Sequence, residues 1–178
     1  MNGIETSAAA FCLGPERGGA FEVRRVLRQR PAADEIEVAV EAAAVNPIDV
    51  KRSKGYGRRL LSLRRAAKFP LVLGNDFAGT VTAAGAAVSA FKIGDRVYGL
   101  KPPSAMGTHA CHVVVKAAHA RPAPSSTEDI QKLAALPYSF VTMWLAARRG
   151  AGLVCWLPRL SGASSSSPNR GAATLVTL

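Results

Sequence analysis

Between Leu71 and Val115 the apolar residues come only in short pieces, because Gly74, Gly79, Gly85, Gly94, Gly99 and Gly107 interrupt them at close intervals. Glycines at this spacing mark tight corners and close backbone approaches between short strands, so the segment predicts a small barrel-like β core. The residues before it fit the same plan. Ala8 to Leu13 and Phe21 to Leu27 are short apolar runs separated by Gly14, Pro15, Gly18 and Gly19, which predicts an antiparallel hairpin. Glu35 to Glu41 alternates apolar with mostly polar residues at period two, which predicts a strand with one buried and one wet face.

Asn46-Pro47 ends that strand, since the residue before proline is held extended and proline has no N–H for a ladder. A loop or short helix is expected next. Ser125-Ser126-Thr127-Glu128 places a capping serine three residues before Glu128, predicting a helix through Leu136 that Pro137 ends. Tyr138 to Ala147 reads as a second helical stretch. From Leu160 to Gly171 the chain is rich in Ser, Gly, Pro and Asn and reads as an irregular tail. The domain plan expected is therefore a β domain over 8–125, a helical segment over 126–153 and a low-complexity tail over 154–178.

The formal charge of +11 raises the question of a nucleic-acid or anionic-surface ligand, and its distribution answers it. Eight of the basic residues lie between Lys51 and Lys68 with no acid among them. Within that stretch, Arg58 to Lys68 spaces Leu60, Leu61, Leu63 and Ala67 among arginines as a short basic amphipathic helix on a solvated surface. Tyr56 is the one aromatic within the cluster, so no stacking platform accompanies it and nucleic acid ranks last among the partners. No apolar stretch reaches the roughly 18 residues of a membrane span before a charge breaks it. Cys12, Cys111 and Cys155 are scattered and odd in number, which suits neither a disulfide framework nor a zinc knuckle. With Glu5 and no early arginines, the first residues resemble neither a secretory signal nor a mitochondrial presequence, so the cytoplasm is the compartment expected.

Three passages together resemble the medium-chain dehydrogenase/reductase family, in its zinc-independent, quinone oxidoreductase-like branch. They are Ala44 to Asp49, Phe69 to Val81 and Phe91 to Gly99, the last followed by Gly107-Thr108-His109-Ala110 and Leu136-Pro137-Tyr138. The basic insertion after Gly55-Tyr56-Gly57 is most similar to the subgroup containing the reticulon-interacting mitochondrial oxidoreductase. The resemblance covers residues 8 to 153. It implies a mainly β fold with flanking helices, a GroES-like, partly open β-barrel.

The same resemblance carries an activity and a set of residues. Family members that use zinc hold it with a Cys where this chain has Asn46 and a His where it has Asn75, and their four-cysteine lobe would fall between Gly99 and Gly107, where no cysteine occurs. No zinc is expected. In the zinc-free branch a nicotinamide delivers hydride to a quinone or enone, which implies NADPH as cofactor of the full-length family. Asn46 and Thr142 are the residues this places beside the cofactor, and Asp49 and Tyr56 fall on the substrate side; no catalytic residue is assigned. Read without the family, Asn46 equally suits a pre-proline turn, Asp49 a helix cap and Thr142 a hydroxyl bonded back within its own helix.

His109, Cys111, His112 and His119 are residue types that can ligate a metal, but on an extended strand only 109 and 111 share a face, so packing is the expected role. Beyond Gly152 the chain reads Leu153-Val154-Cys155-Trp156-Leu157-Pro158, without the glycine fingerprint of a dinucleotide-binding domain. The Rossmann domain is therefore expected to be absent, the chain truncated, and NADPH not to bind it tightly. The function expected is the N-terminal domain of an NAD(P)H-dependent quinone or enone reductase, inactive by itself. The alternative is a non-catalytic GroES-like barrel that binds a protein partner. Phe140, Val141, Met143, Trp144 and Leu145 would then lack the domain they pack against, which predicts self-association.

Overall fold

The computed structural model describes residues 5–58, 68–104, 106–124 and 129–154. Most of the basic stretch from Arg58 to Lys68, the Ser125–Glu128 capping pattern and the C-terminal tail lie outside the described residues. Contacts divide the chain into two units, Met1–Trp144 and Leu145–Leu178. The second contributes the end of one helix to the description.

The first unit is built from two sheets. Strand β1 (Thr6–Cys12) pairs along its whole length with β2 (Phe21–Leu27), as the glycine-rich turn between them predicts, and its far end pairs with the short β4 (Leu71–Val72). The second sheet has the order β7-β3-β5-β6-β8, every neighbour antiparallel, from β3 (Glu35–Ala42), β5 (Asp76–Ala84), β6 (Arg96–Leu100), β7 (His112–Lys116) and β8 (Ala120–Pro122). The segment before β7 joins the sheets: the Ala10 N–H donates to His109 O at 2.9 Å, the Cys111 N–H to Ala8 O at 2.9 Å and the Val40 N–H to Cys111 O at 2.8 Å. Among the described residues the sheets form no closed barrel, which agrees with the partly open form expected.

The core lies on one face of the second sheet, where Ile36, Val38, Phe77, Val81 and Val97 are at most 1% exposed. Burying each such side chain is worth roughly 1.5–3 kcal/mol. Gly79 shows why the corner glycines matter. A Cβ there would stand 2.0 Å from the Ala39 carbonyl oxygen, so β3 and β5 can pair this closely only over a residue without a side chain.

Two sequence expectations need correction. The polar face of β3 is only partly wet: Glu41 is exposed, but Glu37 is 3% exposed, accepts a hydrogen bond from Arg28 Nε at 3.0 Å and another from Thr82 Oγ1 at 2.7 Å, and Arg28 Nη2 closes the pair. Arg28, arriving just after β2, covers Glu37. Secondly, Pro137 does not separate two helices. A short α1 (Pro47–Ser53) follows β3 as expected, but α2 runs unbroken from Ile130 to Val154 with Pro137 inside it. Its start is set by Asp129, whose Oδ1 accepts from the N–H groups of Gln131 and Lys132 at 3.1 and 3.3 Å. The first turns of α2 are anchored by Leu133 and Ala134, packed on Ala78 of β5.

Candidate functional site

A cleft of about 490 Å³ lies between α1 and α2. One wall is Asn46, Pro47, Ile48 and Lys51; the other is Tyr138, Ser139, Thr142 and Met143. Asn46 and Thr142, far apart in sequence, meet here. A second hollow of about 30 Å³ lies between the sheets beside Glu37 and Lys101, room for a solvent molecule and little else.

The first wall is held from below by two buried carboxylates. Asp49, the third residue of α1, turns back so that its Oδ2 accepts the Asn46 N–H at 2.9 Å, while its Oδ1 accepts the Gly74 N–H at 3.0 Å. It thereby caps α1 and ties the helix start to the turn before β5. This reach back to the first residue of a helix is half of a capping box. Gly74 has φ +94°, and a Cβ on it would lie 2.4 Å from Thr108 Oγ1, so neither conformation nor space admits a side chain.

The second carboxylate, Asp76, opens β5 and is fully buried. Its Oδ2 accepts from Asn46 Nδ2 at 2.8 Å and its Oδ1 from the Tyr138 N–H at 2.7 Å. Tyr138 directly follows Pro137, whose ring disturbs the helical ladder at this turn. An acceptor from β5 thus meets the backbone where the helix is weakest, which is how α2 passes through its proline. Burial pushes the Asp76 carboxyl above its ordinary range, the hydrogen bonds from Asn46 and Tyr138 oppose this, and the charge on Asp49 adds to it.

Asp49 is 2% exposed and does not border the cleft, and Tyr56 stands outside it, 63% exposed, with Lys51 Nζ 5.8 Å from its ring centre. Residues that the sequence did not mark as site residues complete the lining, namely Pro47, Ile48, Lys51, Tyr138, Ser139 and Met143, and Asp76 underlies it. Asp76 carried one readable signal: an ionisable residue leading straight into the buried Phe77-Ala78 run.

The positions aligned with the family's zinc ligands make other contacts. Asn75, 1% exposed, donates its Nδ2 to Lys101 O at 2.8 Å, and among the described residues its Oδ1 has no hydrogen-bond partner. His109 Nε2 donates to Ala44 O at 3.1 Å, His112 Nδ1 lies 3.0 Å from Ser7 Oγ, and Cys111 is exposed. No group of three or more His, Cys, Asp or Glu side chains converges among the described residues. Nor is any described helix long and apolar enough to cross a membrane.

Residues 32–125 match the family model described as alcohol dehydrogenase GroES-like domain. Human mitochondrial NAD(P)H oxidoreductase RTN4IP1 is 39% identical over 128 residues, which are 67% of this chain and 32% of that protein. The mouse counterpart is 38% identical over 170 residues, 86% of this chain and 43% of that protein, and a chloroplastic quinone-oxidoreductase homolog of spinach is 43% identical over 86 residues, 48% and 25%. The chain thus spans less than half the length of each of these relatives. Among solved structures, an alcohol dehydrogenase superfamily protein from Novosphingobium aromaticivorans superposes with a TM-score of 0.68 at 33% identity, covering 78% of this chain and 40% of that one. The quinone oxidoreductase of Coxiella burnetii, at 23% identity and a TM-score of 0.72 over 83% and 46% of the two chains, shares the fold.

These relatives overturn the expected cytoplasmic compartment, since the mammalian proteins are mitochondrial and the spinach one chloroplastic, pointing to an organelle. The composition of the first residues was a poor guide, and the cysteines do not decide the matter. Scattered single cysteines fit any reducing compartment, an organelle interior included.

Proposed function

The chain belongs to the alcohol dehydrogenase GroES-like domain family, and on that premise we propose that it is the acceptor-side domain of an NADPH-dependent reductase of quinones or enones. The observation that carries the reading is the meeting of Asn46 and Thr142 in one cleft of about 490 Å³ with a largely apolar lining. Such a cleft suits a flat, weakly polar acceptor laid beside a nicotinamide. The nicotinamide, when bound, supplies the hydride. Asn46 and Thr142 are the residues of this chain that would hold it: the Asn46 amide is fixed by Asp76, and Thr142 offers a hydroxyl from the facing wall.

The protein's own share of the work is orientation and exclusion of water. Pro47, Ile48 and Met143 present apolar surface to the acceptor, and Lys51 at the rim supplies a positive charge toward the oxygen on which negative charge develops during reduction. Zinc does not fit the residues present. Asn46 and Asn75 offer amides, each with its NH₂ engaged with an acceptor, in place of thiolate and imidazole. Asp49 acts by fixing Asn46 from beneath, and Tyr56 by its ring against Lys51.

The described residues supply only these walls, so tight binding of the dinucleotide requires further polypeptide of the kind that the longer relatives possess. The 178-residue chain alone is expected to bind NADPH more weakly than micromolar. Joined to the dinucleotide-binding domain of a quinone oxidoreductase, it is expected to oxidise NADPH with a soluble quinone in the presence of a metal chelator. Turnover that appears only on adding zinc, or micromolar NADPH binding by the chain alone, contradicts this reading.

A further inference from the structure

We propose that Asp76 is a positioning residue that sets the spacing and orientation of the two cleft walls. It does so with one carboxylate oxygen on each wall. Oδ2 takes the side-chain N–H of Asn46, at the start of α1, and Oδ1 takes the backbone N–H of Tyr138, in α2. The inference rests on the reading above only in taking the cleft as the ligand site; the linkage itself is independent of what binds.

Three observations carry it. The carboxylate is fully buried in the first residue of β5, a strand paired on both sides, so the platform is rigid. The hydrogen bond it makes to α2 reaches the residue after Pro137, where the proline ring crowds the preceding turn and Asp76 gives the Tyr138 N–H an acceptor from outside the helix. One helical turn further on, Thr142 and Met143 form the wall. The bond to α1 fixes a side chain, not a backbone group, and that side chain is Asn46. Asp49 already holds the Asn46 backbone, so the contribution of Asp76 is the direction of the amide.

Aspartate is suited to this role where asparagine is not. An amide at position 76 keeps one uncharged oxygen for two donors and turns an NH₂ group against the other, so one wall loses its bond and the other keeps only a weaker, neutral one. The test is therefore Asp76→Asn, read by nuclear magnetic resonance on the full 178-residue chain. The expected result is about tenfold faster hydrogen exchange of the Asn46 side-chain amide, with shifted signals for Ile48 and Thr142 and unchanged protection in β3 and β5. Asn46 side-chain signals and a Thr142 signal identical to wild type would overturn the proposal.

A second variant guards against misfolding. Pro137→Ala restores an N–H to the ladder and lets α2 close its own bonds. With alanine at 137, the further change Asp76→Asn should shift Thr142 less than it does beside proline, while its effect on Asn46 stays the same. Equal Thr142 shifts in both backgrounds would mean that α2 does not depend on Asp76, and would overturn the link to that wall. The reductase reading fails separately: coupled shifts at Asn46 and Thr142, together with no NADPH-dependent quinone reduction by the joined protein, would leave the linkage standing and remove the assigned chemistry.

Discussion

The inner face of the second sheet and the exposed side of α2 are both strongly apolar, and they meet opposite fates. Ile36, Val38, Phe77 and Val81 are at most 1% exposed, whereas Phe140, Met143 and Trp144 are more than half exposed. The α2 residues even contact one another, Phe140 and Trp144 stacking with their rings 6.5 Å apart, without leaving solvent. Composition does not separate the two regions. What separates them is a facing layer. β3 and β5 close over their own core, while α2 is anchored by Leu133 and Ala134 and by the Tyr138 N–H on Asp76, and leaves Phe140, Met143 and Trp144 uncovered. The first region holds the fold together; the second is surface kept for something else.

Substitutions can break this contrast. Phe77→Ala should have the largest effect, about 3–5 kcal/mol lost in chemical denaturation, because it opens a cavity at the centre of the core. That is most of the stability of a marginal domain. Glu37→Gln should come next, at about 1–3 kcal/mol near neutral pH, since it weakens the buried pair with Arg28. Burial raises the Glu37 carboxyl, but the hydrogen bonds from Arg28 and Thr82 outweigh it and leave the pKa below its ordinary value. A depressed carboxyl contributes stability above its unfolded pKa and loses it as pH falls through the folded one, so the gap between wild type and Glu37→Gln should narrow in acid.

On the helix side the effects should be smaller. Asp129→Ala removes the cap of α2 and should cost about 1 kcal/mol, seen as a lower midpoint of denaturation. Phe140→Ser and Trp144→Ser should change stability by no more than about 0.5 kcal/mol, yet reduce hydrophobic-dye binding and any concentration-dependent association seen in sedimentation. A loss at Phe140 as large as that at Phe77 would show that the two regions do the same work.

The sequence made some of this visible and hid the rest for physical reasons. Glycine spacing and period-two alternation are local, and they led to the hairpin, to β3 and to the short strands after Leu71. Family motifs led to Asn46 and Thr142, which the fold brings to one cleft. The wet face assigned to β3 holds at Glu41 and fails at Glu37, because Arg28 covers that side chain from outside the strand. The break assigned to Pro137 failed because the acceptor for the next N–H is Asp76, 62 residues away, beyond any local pattern. Asp76 lies inside a family motif, and its place ahead of the apolar Phe77-Ala78 run hints at burial, but no local pattern tells that its carboxylate serves two helices.

The central claim is that the cleft between α1 and α2 receives the acceptor, and a titration with a soluble benzoquinone tests it most directly. Followed by amide and side-chain signals of the isolated chain, weak binding at millimolar quinone should shift Asn46, Ile48, Lys51, Thr142 and Met143 together along one saturable curve, leaving the β2 and β7 signals in place. Saturable shifts confined to another surface, with those five residues unmoved, would contradict the account.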